Sequence, residues 1–287
     1  MALFMGFLAV IDIGDDVMLL TPSWPSYRVM IRNAGGAPVD VPAGPEYKFD
    51  EEAMKERVTR DTRCVIINSP NNPSGGVLTK SDLKAIYDLA CDYDFVVFSD
   101  EIYESLVYDG FKQTSMLEVD PAMERTLVIN GFSKAYSMTG WRLGYAAGPK
   151  EIIAAMAKVQ SHNTSNASSI SQMAALEALR GPQMDVNHMV SEFQRRRNFV
   201  LQRLRQIPNI SCLEPKGAFY VFPNVSAYYD KEYNGMMIRN SYGLAYYLLK
   251  FANVAIVPGN AFGNDACIRI SYATSMENLE KAMERIA

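Results

Sequence analysis

Apolar positions recur along this chain in two periods. Leu3, Phe4, Phe7, Leu8 and Ile11 fall on one helical face and predict a core helix over the first eleven residues. Short continuous apolar runs follow at Val17–Leu20, Cys64–Ile67, Phe95–Phe98, Thr126–Ile129 and Leu143–Ala147. All five read as strands, and Cys64–Ile67, Phe95–Phe98 and Thr126–Ile129 as buried ones. Val39 and Val41 predict a shorter strand. Helical patterns lie between them, at 51–58, at 81–93 with Ser81 as cap and Leu83, Ile86, Leu89 and Ala90 facing inward, and at 149–160 and 171–179. Strands alternating with helices predict an α/β unit with a mostly parallel sheet. Gly181-Pro182 breaks the pattern and sets a boundary: a large domain at 1–182 and a smaller α+β domain at 183–287. The second unit opens with a long helix at 186–205. It continues with strands at 217–221, 254–257 and 267–272 and helices at 242–251 and 276–286.

Composition narrows the function by exclusion. The 287 residues carry 28 basic and 32 acidic side chains, with no basic stripe, so nucleic acid is not an expected partner. Arg195-Arg196-Arg197 reads as a solvated helix face. The first helix is too short for a membrane span and lacks a basic lead-in, so neither a membrane partner nor a signal peptide is expected. The four cysteines are scattered and read as buried thiols of a reducing, cytoplasmic compartment. With only His162 and His188, neither a histidine metal site nor a Ser-His-Asp hydrolase is expected, and no residue is assigned to a metal. No Gly-x-Gly-x-x-Gly opens a helix, and no P-loop is present.

The candidate chemistry gathers at strand ends. Thr126–Ile129 leads into Asn130-Gly131-Phe132-Ser133-Lys134, and Arg142 follows between glycine-bearing turns. A lysine just past a buried strand is disfavoured as a cation, which makes its amine a nucleophile toward carbonyls. Arg142 with Ser133 suits a phosphate. The strand at 64–67 ends in Asn68-Ser69-Pro70-Asn71-Asn72-Pro73-Ser74-Gly75-Gly76, a rigid turn in which Asn72-Pro73 is a candidate cis bond. The strand at 95–98 ends in Ser99-Asp100-Glu101-Ile102-Tyr103. Asp100 alone reads as a cap. In a continuous strand it and Tyr103 point to opposite faces, so they converge only if the chain turns right after Asp100. Trp24, in the loop 21–27, reads by itself as a packed aromatic, and Arg269, between Ile268 and Ile270, as a strand residue facing solvent. Three strand ends thus deliver polar residues to the edge where open α/β sheets bind ligands.

These motifs resemble those of the class I/II aminotransferases, the aspartate-aminotransferase-like enzymes of pyridoxal-phosphate (PLP) fold type I. The resemblance runs over nearly the whole chain. It implies the fold: a mixed, mostly parallel sheet flanked by helices, with a smaller α+β C-terminal lobe. It implies pyridoxal 5'-phosphate as cofactor, Lys134 as its covalent anchor and proton carrier, and Arg142 with Ser133 at its phosphate. Asp100 would pair with the ring nitrogen, Asn72 and Tyr103 with the phenolic oxygen, and Trp24 would stack on the ring. Arg269 would take the substrate's α-carboxylate beside Asn72 and Trp24. The implied reaction moves an amino group between an L-amino acid, aspartate-like or aromatic, and a 2-oxo acid, in a homodimer. A β-lyase or a cyclopropane-forming synthase on the same scaffold, or an inactive fragment, stays open beside it. Two departures are visible. The family pattern places a further segment ahead of Met1, with a phosphate-binding turn and one more strand. Gly131 stands where many members carry a hydroxyl.

Overall fold

The computed structural model describes residues 1–287 and shows an α/β body joined to a smaller α+β lobe. In chain order the body comprises α1 (Ala2–Val10), β1 (Asp16–Thr21), α2 (Pro25–Asn33), β2 (Ala37–Pro42), α3 (Glu51–Lys55), β3 (Thr62–Asn68), α4 (Lys80–Tyr93), β4 (Val96–Asp100), β5 (Thr126–Gly131), β6 (Gly144–Ala147), α5 (Lys150–Asn163) and α6 (Ser169–Arg180). The sheet order is β2-β1-β3-β4-β5-β6. All pairs are parallel except β5 with β6, which is antiparallel.

The inner strands β1, β3, β4 and β5 are largely apolar because both faces are covered, whereas the edge strands β2 and β6 are partly exposed. Val17, Leu19, Cys64, Ile66, Phe98, Leu127 and Ile129 pack toward α1, α2 and α5. Met18, Val65, Ile67 and Val97 face the other way, toward α3 and α4. The second lobe comprises α7 (Met184–Leu204), β7 (Tyr220–Val221), β8 (Lys231–Tyr233), β9 (Met236–Ile238), α8 (Ser241–Tyr247), β10 (Val257–Pro258), β11 (Ile268–Ser271) and α9 (Met276–Ile286). A π-helical turn, Leu248–Ala252, extends α8. Strands β10-β11-β7 form an antiparallel sheet. The core of this lobe also takes in Tyr103, Leu106 and Tyr108 from the first 182 residues.

Several local expectations are corrected. The helix read as starting at Ser81 starts a residue earlier, and its cap is Thr79: the Thr79 hydroxyl accepts from Asp82 N while Asp82 accepts from Thr79 N. The loop 21–27 is half helix, because Pro25 sits at the first helical position, where its fixed φ favours initiation. Asn234-Gly235, both at positive φ, turn the unanticipated β8–β9 hairpin. The cis peptide bonds precede Pro22 and Pro70, not Pro73. Arg197 is not on a solvated face. It is buried, donates to both carboxylate oxygens of Asp109 at 2.7 and 2.9 Å, and lies over the Tyr108 ring. Among the cysteines, Cys64 and Cys267 are buried, Cys212 is half-buried and Cys91 is exposed. No helix is long and apolar enough to cross a membrane, and no cluster of three or more His, Cys, Asp or Glu side chains could hold a metal.

Candidate active site

The parallel register sets the site's floor. Asn68 at the end of β3 lies opposite Asp100 at the end of β4, and Asp100 lies opposite Ile129 of β5. β3 and β4 therefore stop at one level, β5 runs two residues further to Gly131, and the residues just beyond all three share one edge. Asn68 Nδ2 donates to the Asp100 carbonyl at 2.9 Å, and its Oδ1 accepts from Asn72 N at 2.8 Å. Asn68 thus ties the turn carrying Asn72 to the strand carrying Asp100.

Asp100 is buried, and the chain does turn after it: Ile102 N donates to Asp100 Oδ1 at 3.2 Å. Its other oxygen accepts from the buried Tyr27 hydroxyl at 2.6 Å. Tyr27 was not anticipated. Pro25 as a helix start, with Tyr27 and Ile31 as an i, i+4 apolar pair, is the signal that could have shown it facing the core. Burial pushes the Asp100 carboxyl up to about 6, against the pull of the Tyr27 and Ile102 hydrogen bonds. A buried carboxylate whose only close partners are a phenol and an amide is suited to a cationic ring nitrogen. Trp24 packs edge-on against Tyr27, ring centroids 5.3 Å apart, at the start of α2.

Lys134 is half-buried. Burial lowers its pKa below the usual lysine value, helped by the charges of Arg269 and Arg142 and opposed by Asp100. Its Nζ lies 5.5 Å from the Phe219 ring centroid and 6.0 Å from that of Tyr103. This is the environment that frees an amine for carbonyl chemistry.

Arg269 does not face solvent. Its guanidinium is held between Tyr220 and Phe262, 4.5 and 4.9 Å from the ring centroids. Nη1 donates to Asn72 Oδ1 at 2.9 Å, while Nε is buried without a hydrogen-bond partner. A donor in that condition costs free energy unless an acceptor reaches it, and a carboxylate meets the fork bidentately. The Asn72 carbonyl is thus committed to Arg269, which leaves its amide protons for another acceptor. Tyr103 is buried, and its hydroxyl pairs with that of Tyr220 at 3.0 Å.

Lys134, Asp100, Tyr103, Asn72, Trp24 and Arg269 therefore form one connected set. Ser133 and Arg142 stand beside it. They line a cavity of about 770 Å³ that also borders Met1, Ala2 and Leu3. Arg142 is exposed, in a left-handed turn, and donates to the Thr139 carbonyl at 2.8 Å. Gly131 is constrained by packing: a Cβ there would come within 3.0 Å of Gly144 Cα and of the Leu143 carbonyl, across the β5–β6 pair.

The strand ends of the α/β body present a half-buried lysine and a buried aspartate, and β11 of the small lobe brings a stacked arginine to the same cleft. The model for aminotransferase class I and II matches residues 2–286, and the chain belongs to that family. It is 45% identical over 288 residues to the aspartate aminotransferase of Geobacillus stearothermophilus, covering 99% of this chain and 72% of that relative. Its fold is similar to the aspartate aminotransferase of Rhizobium meliloti, with a TM-score of 0.95 at 42% identity over 99% of this chain and 72% of that one. The aromatic aminotransferase of Pyrococcus horikoshii superposes with a TM-score of 0.92 at 42% identity, covering 99% and 75%. The family's members are pyridoxal-phosphate-dependent transaminases, and that is the reaction class of this chain.

Proposed function

We propose that this chain binds pyridoxal phosphate at Lys134 and transfers the amino group of an acidic or aromatic L-amino acid to a 2-oxo acid. The observation that carries the reading is the Arg269–Asn72 bond, which joins a carboxylate-binding fork on the small lobe to the turn beside Asp100. When bound, pyridoxal phosphate supplies an aldehyde for the amino group and a ring that accepts the electron pair released at Cα. Asp100 would hold the ring-nitrogen proton, and a cation facing it would offset the burial that raises its carboxyl. Asn72 Nδ2 and Tyr103 would donate to the phenolic oxygen, and Trp24 would cover the ring. Arg142 and Ser133 would meet the phosphate, for which the Arg142 guanidinium would have to give up its bond to the Thr139 carbonyl.

Arg269 grips the substrate's α-carboxylate and orients its Cα–H toward Lys134. Lys134 Nζ, with its depressed pKa, takes the proton from Cα and returns one in the reverse half-reaction. The relatives that act on aspartate and on aromatic substrates support that substrate range. The family resemblance supports a cytoplasmic homodimer.

Adding pyridoxal phosphate to the purified protein should raise a visible band that borohydride bleaches and that Lys134→Ala lacks. L-Aspartate or an aromatic amino acid should then yield its 2-oxo acid. A folded protein with no Lys134-dependent band would overturn the reading. Sedimentation equilibrium should return twice the 32.0 kDa chain mass, and a monomer at every concentration would refute the dimer.

A further inference from the structure

Two buried phenols meet where the lobes join. Tyr103 comes from the turn after β4 and Tyr220 from β7 of the small lobe, and their hydroxyl oxygens lie 3.0 Å apart. They are 4% and 6% exposed, and neither hydroxyl has another hydrogen-bond partner. In sequence Tyr220 is one apolar strand position among several, and a phenylalanine would fill the same ring volume. Packing therefore leaves the hydroxyl unexplained. Either oxygen can donate, so the pair uses one proton and leaves the other to point elsewhere.

The surroundings decide which. The Arg269 guanidinium lies 4.5 Å from the Tyr220 ring centroid and favours negative charge on that phenol, which makes its O–H the stronger donor. Tyr103 has the longer contact of this kind, with Lys134 Nζ 6.0 Å from its ring centroid on the cleft side. The polarity then runs from Arg269 through Tyr220 to Tyr103.

We propose that Tyr220 is a positioning residue that donates its hydroxyl proton to Tyr103, turning the Tyr103 proton into the cleft and strengthening its hold on an anionic oxygen bound beside Lys134. This rests on the reading of Tyr103 as a donor to the cofactor's phenolic oxygen. The chain of donors links the substrate-carboxylate fork on one lobe to the cofactor side of the other. With the cofactor bound, a donor to that oxygen would draw charge away from Lys134 Nζ and so keep the pKa of that nitrogen down.

The test is a pH titration of the Lys134-dependent absorption band in four pyridoxal-phosphate-loaded proteins: the parent, Tyr103→Phe, Tyr220→Phe and the double variant. Thermal melts run alongside as a check on folding. Tyr103→Phe should raise the midpoint. Tyr220→Phe should raise it by less, roughly 0.1–0.7 pH unit, the 10–30% by which one hydrogen bond strengthens the next in a chain. Adding Tyr220→Phe to Tyr103→Phe should change nothing further. A Tyr220→Phe midpoint equal to the parent's overturns the inference while the band itself upholds the functional reading. So does a Tyr220→Phe shift that persists undiminished without the Tyr103 hydroxyl, since that would be a packing effect. No Lys134-dependent band in the parent overturns the functional reading and this inference together.

Discussion

Asp100 and Glu101 are neighbours, both carboxylates and both buried, yet they have opposite uses. The Glu101 Oε1 accepts from Ser99 Oγ, Ser115 Oγ and Met116 N, so its charge is spent on holding the chain after β4. Asp100 is met by a phenol and a single amide, and burial pushes its carboxyl up to about 6 from an ordinary 3.8. The folded state thus binds the Asp100 proton more tightly than the unfolded state does. The stability this contributes is complete below the unfolded pKa and is lost as pH rises through about 6. At one pH unit per 1.36 kcal/mol, the loss is on the order of 3 kcal/mol. In the cofactor-free protein at pH 7–8, Asp100→Asn should therefore raise the melting temperature, by an equivalent of ~1–3 kcal/mol, and flatten its pH dependence between 4 and 7. The same variant should lose most transaminase activity, because an amide does not hold the ring proton. A lower melting temperature for Asp100→Asn across that range would show that the carboxylate is stabilised in the fold after all.

At the scale of elements, short local devices set where the chain turns and so where side chains arrive. The Thr79–Asp82 capping box starts α4, whose buried Leu83, Ile86, Leu89 and Ala90 close one face of the sheet. Thr79→Ala should cost about 1 kcal/mol in chemical denaturation with little change in kcat, since the cap lies at the surface away from the cleft. A stability unchanged within error would mean water replaces the cap at no cost. The start of α2 matters more to function. By opening the helix at Pro25, the chain puts Trp24 just outside it and Tyr27 in its first turn. That spacing lets Trp24 pack edge-on against Tyr27 while the Tyr27 hydroxyl reaches Asp100.

At the scale of the whole molecule, the site depends on how the two lobes meet. The turn bearing Asn72 packs against the small lobe through Gly75, whose carbonyl accepts from Lys216 N and Gly217 N at 2.9 and 3.1 Å. Gly217 has no room for a side chain: a Cβ would fall within 2.5 Å of Pro70 and 2.7 Å of the Leu106 carbonyl. Gly217→Ala should push the lobes apart at this seam, costing ~1–3 kcal/mol as overpacking does. The Arg269–Asn72 bond crosses the same seam, so affinity for a carboxylate substrate or inhibitor should fall at least several-fold while the Lys134-dependent band survives. Unchanged inhibitor affinity in Gly217→Ala would separate the seam from the site.

What the sequence determined by itself is the order of elements and the residues that end them. Strands buried on both faces must be apolar throughout, so β1, β3, β4 and β5 stand out as runs, and the polar residues that stop them, Asn68, Asp100 and Lys134, are legible as candidates. Their convergence is legible too, because parallel strands in one sheet end at one edge. What only the tertiary structure decided is the fate of side chains whose partners lie far away in the chain. Arg197 reads as one of three surface arginines until Asp109 and Tyr108 enclose it. Arg269 reads as a solvent-facing strand residue until Tyr220, Phe262 and Asn72 surround it. Tyr220 carries no signal in a linear pattern, and the i, i+4 spacing that turns Tyr27 toward the core does not name its partner. Each takes its meaning from a hydroxyl partner 73 or 117 residues away, and a period of two or of 3.6 cannot report a contact at that separation.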